Sequence, residues 1–306
     1  MKISGLASFI VIGGLVAGCG GSDGVNETGS MSLRITDAPI DDASSVVVQF
    51  SAVQIRGAED SQNIDFTFDT PRSIDLLTLQ GTATETLFTD ETVPAGVYDE
   101  VRLIVNAVEG TTDSYITLTE GGAQHHLTVP SGSTSGLKVK GAFTVPANGS
   151  ASFTVDFDVR KSIVRSGSAN SANGIKYHLK PALRVVEDAR VGTISGSVDT
   201  ILLNASCSDQ NEATHNAVYV FEGAGVTPDD IDGDGVEPVV TALLKYDAGS
   251  DSYGYQAAFL LEGDYTATFS CHADLEDIEA SDDLFFVGAQ DVSVVAGETA
   301  TADFAQ

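Results

Sequence analysis

The chain has 306 residues, enough for one or two domains with a sizeable core. It carries 44 acidic residues against 15 basic ones, a formal net charge of −29, so it repels polyanions, and a nucleic-acid role is excluded. With 31 Gly, 8 Pro, no Trp and many Thr and Val runs, it reads as a secreted all-β protein rather than a helical enzyme.

The N-terminus reads as an export signal. Lys2 precedes an apolar run from Leu6 to Val16 that is interrupted by Ser8, Gly13 and Gly14. That run is shorter than the ~20 residues an uncleaved membrane helix needs. Leu15-Val16-Ala17-Gly18-Cys19 matches the lipobox, in which small residues precede a Cys that has received diacylglycerol. Residues 1–18 are therefore expected to be a lipoprotein signal peptide, and Cys19 the lipidation site. Three acyl chains on one residue anchor a protein to a membrane without spanning it. Gly20 stands where inner-membrane-retained lipoproteins usually have Asp, which by resemblance to that sorting rule favours the outer membrane, on its periplasmic or its external face. Residues 19–29 read as the lipidated Cys and a flexible tether of Gly, Ser, Asp, Asn and Glu.

Beyond the tether no helical apolar period is sustained, whereas alternation recurs in Met31-Leu33-Ile35, Val101-Leu103-Val105 and Phe153-Val155-Phe157-Val159. Evenly spaced strands with Gly, Asn, Asp and Ser turns predict an all-β chain of antiparallel sandwiches. Three patterns appear twice in the same order. The opening strand from Gly29 parallels that from Gly192. Gly96-Val-Tyr98 parallels Gly263-Asp-Tyr265, and Gly149 to Phe157 parallels Gly297 to Phe304. A turn glycine two residues before a Tyr lets the ring enter the core while the hydroxyl bonds backbone near the turn. The expected organisation is two tandem sandwiches, residues 30–187 and 191–306, with one long sandwich as the alternative. Their charges differ: residues 31–190 carry net −7, whereas residues 191–306 hold Lys245 against 22 acidic residues, net −21. The second half should depend on screening or bound cations.

Thr36-Asp-Ala-Pro39, Asp75-Leu-Leu-Thr-Leu79, Pro94-Ala-Gly-Val-Tyr98, Val101-Arg-Leu103, Val129-Pro-Ser131, Gly136-Leu-Lys138, Asp156-Phe-Asp158 with Ser162, and Tyr177 to Val185 occur in order. In these motifs residues 30–187 resemble the bacterial lipoprotein domain-of-unknown-function family 4382. The resemblance implies a secreted, lipid-anchored all-β domain and brings no catalytic residues. Carbohydrate or surface-polymer binding follows only by analogy. The second half is similar to transthyretin-like or carboxypeptidase-regulatory-like modules in its Ile194-x-Gly196-x-Val198 opening and its Gly263-x-Tyr265 turn, but its acidic insertions depart from that pattern.

Candidate chemistry is sparse. Gly132-Ser-Thr-Ser-Gly136 has Thr where a nucleophile elbow needs Ser and reads as a loop. No pair among His125, His126, His178, His215 and His272 has the i, i+4 helical spacing of metalloproteases. Neighbouring His125 and His126 point to opposite faces of a strand. Asp156 and Asp158 share a face at about 7 Å, a separation glycosidases use, but the reading preferred here is an outer polar face of Thr154, Asp156, Asp158 and Arg160. Arg102, Lys138, Lys180 or Arg184 would then pair with Asp158 or Asp75. Asp230-Ile-Asp232-Gly-Asp234-Gly235 looks like the front of an EF-hand loop, with Ca²⁺ the expected ion and Glu237, Asp229 or the acidic stretch Asp274 to Asp283 completing the shell; the alternative is a solvated acidic loop. Thr241 stands where that loop type has a bidentate Glu, and Pro238 takes its ninth position. In an oxidising compartment Cys207 and Cys271 should form a disulfide. The expectation is a non-enzymatic outer-membrane lipoprotein with a binding or adhesive surface, its partners being the membrane and a glycan or envelope protein. The alternatives are a surface polysaccharide hydrolase and a structural component of an envelope assembly.

Overall fold

The computed structural model describes residues 27–38, 43–57, 63–129, 132–167, 174–207, 216–249, 252–271, 273–278 and 280–305. Cys19, the signal peptide and most of the tether lie outside them, as do His215 and His272. The chain is all-β.

Strands of the N-terminal half are β1 (Thr28–Ala38), β2 (Ala43–Gly57), β3 (Ile64–Asp75), β4 (Glu85–Pro94), β5 (Gly96–Val105), β6 (Tyr115–Leu118), β7 (Gln124–Thr128), β8 (Leu137–Val145), β9 (Ser150–Asp158), β10 (Ile163–Gly167), β11 (Ile175–Leu179) and β12 (Leu183–Glu187). They form one sheet in the order β12-β9-β1-β4 and a larger one in the order β10-β11-β7-β6-β2-β5-β8, with β3 on β2. Period-2 alternation decides which face is buried. Met31, Leu33 and Ile35 of β1 and Phe153, Val155 and Phe157 of β9 are fully buried against Val53, Ile55, Val101 and Leu103 of the other sheet. One helical turn, α1 (Gly132–Ser135), stands where the sequence reads as a loop, and α2 (Val159–Ser162) follows β9 directly.

The C-terminal half continues with β13 (Val191–Val198), α3 (Thr200–Ser206), β14 (Ala217–Glu222), β15 (Val240–Leu243), β16 (Lys245–Asp247), β17 (Ser252–Leu261), β18 (Gly263–Ser270), β19 (Phe286–Val294) and β20 (Thr299–Thr301). Sheets β16-β17-β13-β20 and β15-β14-β18-β19 enclose a second core that includes Ile194, Val220, Ala257, Leu260 and Phe269. Helix α3 has no counterpart in the strand reading: Asp199 caps it by accepting the Ile201 N–H at 2.8 Å. A Cys207–Cys271 disulfide, with Cα atoms 5.6 Å apart, ties the end of α3 to the end of β18.

The sequence repeats fall on equivalent strands. Opening strand β1 pairs antiparallel with β4 and parallel with β9; opening strand β13 pairs antiparallel with β17 and parallel with β20. At the turns into β5 and β18, Gly96 and Gly263 adopt φ of 150° and 157°, which a Cβ disfavours. Tyr98 and Tyr265 then enter the two cores and donate their hydroxyls to the carbonyls of Pro94 at 2.6 Å and Leu261 at 2.8 Å. Each opening pair also carries a β-bulge, at Asp90 (φ 51°) in β4 and Phe259 (φ 57°) in β17.

Candidate binding cleft between the two sandwiches

The junction is built from the turn after β9. Asp158 accepts the Lys161 N–H at 3.0 Å and so caps α2, which projects Arg160 and Lys161 away from the first core. Arg160 is 7% exposed, and its Nη1 donates to Glu276 Oε2 at 2.7 Å, to the Ala273 carbonyl at 3.0 Å and to Tyr219 Oη at 3.2 Å. Glu276 has no exposed side-chain surface; it also accepts the Ile231 N–H at 2.6 Å and the Tyr219 hydroxyl at 2.7 Å. Lys161 Nζ reaches Glu237 Oε2 at 3.0 Å and the Pro238 carbonyl at 3.1 Å. Removing either partner of a buried ion pair is costly, and this pair joins the two sandwiches.

Between the two halves lies a cleft of about 480 Å³ with walls from both sandwiches. Among its lining residues, Thr36, Asp37, Gln80, Gly81 and Asp156 come from the first, and Lys245, Tyr246, Asp247, Gln256 and Phe259 from the second. Thr36 Oγ1 is within 2.9 Å of the Leu79 carbonyl and 2.8 Å of the Ala83 carbonyl, which fixes the loop carrying Gln80. At Gly81, with φ 70°, a Cβ would come within 3.1 Å of Gln256 Oε1; glycine lets the loop approach β17.

Asp156 is bound by Arg184, whose Nε and Nη2 lie 2.7 and 2.6 Å from Oδ2. The expected outer polar face of β9 is corrected: Thr154 is fully buried, Arg160 enters the second sandwich, and Asp156 lines the cleft. The ion-pair partners also differ from expectation. Arg102 pairs with Glu100, Asp158 has Lys161 at 3.9 Å, and Asp75 accepts the N–H groups of Val46 and Leu77. Asp37, 4% exposed, sits at the end of β1 with neither carboxyl oxygen in hydrogen-bond geometry with any described residue. Burial holds its carboxyl well above the usual carboxylate range, and Asp156, Asp158 and Asp75 push it the same way; the Val159 N–H only partly opposes them.

Other residues singled out by the sequence have local partners. The His125 ring packs on Tyr177 at 5.0 Å, and His178 lies 2.7 Å from both Thr128 Oγ1 and Ser166 Oγ. In the acidic loop, Asp229 accepts the Asp230 N–H, Asp232 the Asp234 N–H and Asp234 the Gly235 N–H. Glu237 accepts the Asp232 and Gly233 N–H groups, while Asp230 accepts from Asp282. Among the described residues, no three of His, Cys, Asp and Glu are grouped so as to hold a metal ion.

The buried ion pair and the cleft escaped the strand reading because alternation says which face is buried, never against what. One signal was present. A half-chain with Lys245 as its sole Lys or Arg can give a buried acid a Lys or Arg partner only from Lys245 or from the other half.

A family profile described as "Domain of unknown function (DUF4382)" matches residues 28–181, half of the chain. The chain belongs to this family. The DUF4382 region supplies Thr36, Gln80, Asp156 and Arg160, while β12 and the whole C-terminal sandwich lie beyond it. No curated protein matches the chain. Among solved structures, the minor pilin GBS52 of Streptococcus agalactiae is 11% identical, over 90% of this chain and 94% of that one, with a TM-score of 0.19. The fimbrial anchor protein Mfa2 of Porphyromonas gingivalis is 9% identical, over 85% and 82%, with a TM-score of 0.18. A leucine-rich repeat protein of Bacteroides thetaiotaomicron, 11% identical with a TM-score of 0.23, is matched by 92% of this chain. This chain spans 26% of that protein and 33% of the Bacillus anthracis TIE protein. TM-scores of 0.18 to 0.23 fall short of a shared fold.

Proposed function

We propose that the protein is a non-enzymatic lipoprotein of the outer membrane, anchored through Cys19, that binds a ligand at the cell envelope in an adhesive or capturing role. The observation that carries this reading is the cleft itself, walled by both sandwiches, which the buried Arg160–Glu276 pair also joins. Its volume is that of an ordinary small-molecule site, roughly 300 to 1,000 Å³. A hydrolase reading loses its best candidates: Asp156 is bound by Arg184 and Asp158 caps α2, so neither is free to act as acid or nucleophile. Ca²⁺ on the acidic loop belongs to the same proposal, supported by charge.

The test separates anchoring from binding. Cys19→Ala should move the protein from the membrane to the soluble fraction, because the acyl chains alone hold it there. Beads coated with that soluble form should retain envelope or extracellular polymer without releasing reducing ends. Membrane retention of Cys19→Ala would refute the anchor, and release of reducing ends would restore the hydrolase.

A further inference from the structure

The geometry points to an uncharged oligosaccharide as the occupant of the interdomain cleft, and we propose this ligand class on the strength of the binding role above. Phe259 is the first indication. Asp90 and Phe259 occupy equivalent bulges with φ of 51° and 57°. Asp tolerates the left-handed region because its short side chain bonds nearby backbone, whereas a bulky aromatic there is strained. Such strain persists where the side chain has a use. Phe259 belongs to none of the hydrophobic cores, has no aromatic partner among the described residues, and lines both the cleft and an adjoining cavity of about 280 Å³.

Tyr246 is the second. Its ring lines the cleft, is 54% exposed, and is steadied by Tyr253 at 5.1 Å. Two aromatic surfaces in a cleft suit the C–H faces of sugar rings. The polar lining supplies the complement: the side-chain amides of Gln80 and Gln256 make no hydrogen bond among the described residues. A planar amide donates and accepts side by side, as adjacent ring hydroxyls require. Charge then selects among sugars. Asp156 is neutralised by Arg184, burial disfavours the charged form of Asp37, the lining's Lys245 and Asp247 are opposite in sign, and the chain's net −29 repels uronic-acid or sulfated polymers, so an uncharged glycan remains.

The experiment places the full chain, unlipidated through Cys19→Ala, on an array of hexose and N-acetylhexosamine oligomers, with polyuronate oligomers alongside. Binding to at least one neutral oligomer and to no polyuronate is expected. Gln256→Ala and Phe259→Gly should each weaken it by about tenfold or more, the loss of one or two good contacts. Phe259→Gly should also leave Tm unchanged or raise it, because glycine adopts that φ freely. A fall in Tm would make Phe259 a packing residue and overturn its role. Glycan binding untouched by both variants would move the site elsewhere. Failure of every neutral oligomer, while the same protein still captures envelope polymer, would overturn the ligand class and leave the binding role standing; failure of both would end both.

Discussion

Asp37 lies four residues along β1 from Leu33 on the inward-facing side, yet it is an acid, with only the Val159 N–H to offset its burial and the charges of Asp156, Asp158 and Asp75. A carboxyl whose pKa is raised on folding binds its proton more tightly in the native state. Its contribution to stability is therefore fully present at low pH and is lost as pH climbs from the ordinary carboxylate range through the raised value. Asp37→Asn carries a neutral amide in place of the protonated acid. The variant should melt above the wild type at about pH 8, with the difference closing towards about pH 4. Parallel Tm curves across that range would show that Asp37 is ionised and compensated in the native protein. The Met31-Leu33-Ile35 alternation, carried one step further, reaches Asp37, but its neighbours Asp156 and Asp158 come from β9 and Asp75 from the end of β3, and only the folded register brings these two stretches to it. By contrast, the Gly-x-Tyr pairs at Gly96 and Gly263 were legible, because the turn, the ring and the hydroxyl partner all lie within five residues.

At the level of elements, the strands were readable for the same reason of locality: a period-2 pattern reports the sheet face it belongs to. Short helices were not. α3 is seven residues long and owes its start to Asp199, which also reads as a turn residue. The acidic loop from Asp229 to Glu237 shows the limit of motif reading, since the same carboxylates that suit a cation also suit the loop's own backbone N–H groups. Binding Ca²⁺ there requires Asp232, Asp234 and Glu237 to turn from those N–H groups to the ion. The proposed site should give a Tm increment in CaCl₂ beyond that in NaCl at matched ionic strength, lost in Asp232→Asn combined with Asp234→Asn. Linkage sets the scale at about 2.7 kcal/mol for a concentration 100 times the dissociation constant. Equal shifts in both proteins and both salts would assign the loop to hydrogen bonding alone.

Over the whole molecule, the repeated order of opening strand, Gly-x-Tyr hairpin and closing parallel strand made the tandem plan visible, and the charge imbalance hinted at how its halves meet. The second sandwich, at net −21, buries Glu276 against the first sandwich's Arg160, while Lys161 holds Glu237. Everything proposed for the cleft requires that relation to be fixed. Glu276→Ala leaves Arg160 buried without its carboxylate, a change worth about 3 to 5 kcal/mol, and should loosen the junction before either core. The most direct measurement is the distance between nitroxide labels on the two sandwiches, at Asp69→Cys and Glu298→Cys, both exposed positions, read by pulsed electron paramagnetic resonance. One narrow distance distribution is expected in the otherwise native chain, and a broad one once Glu276→Ala is added. A broad distribution with Arg160 and Glu276 both in place would show two sandwiches moving independently, and the cleft between them would not be a preformed site.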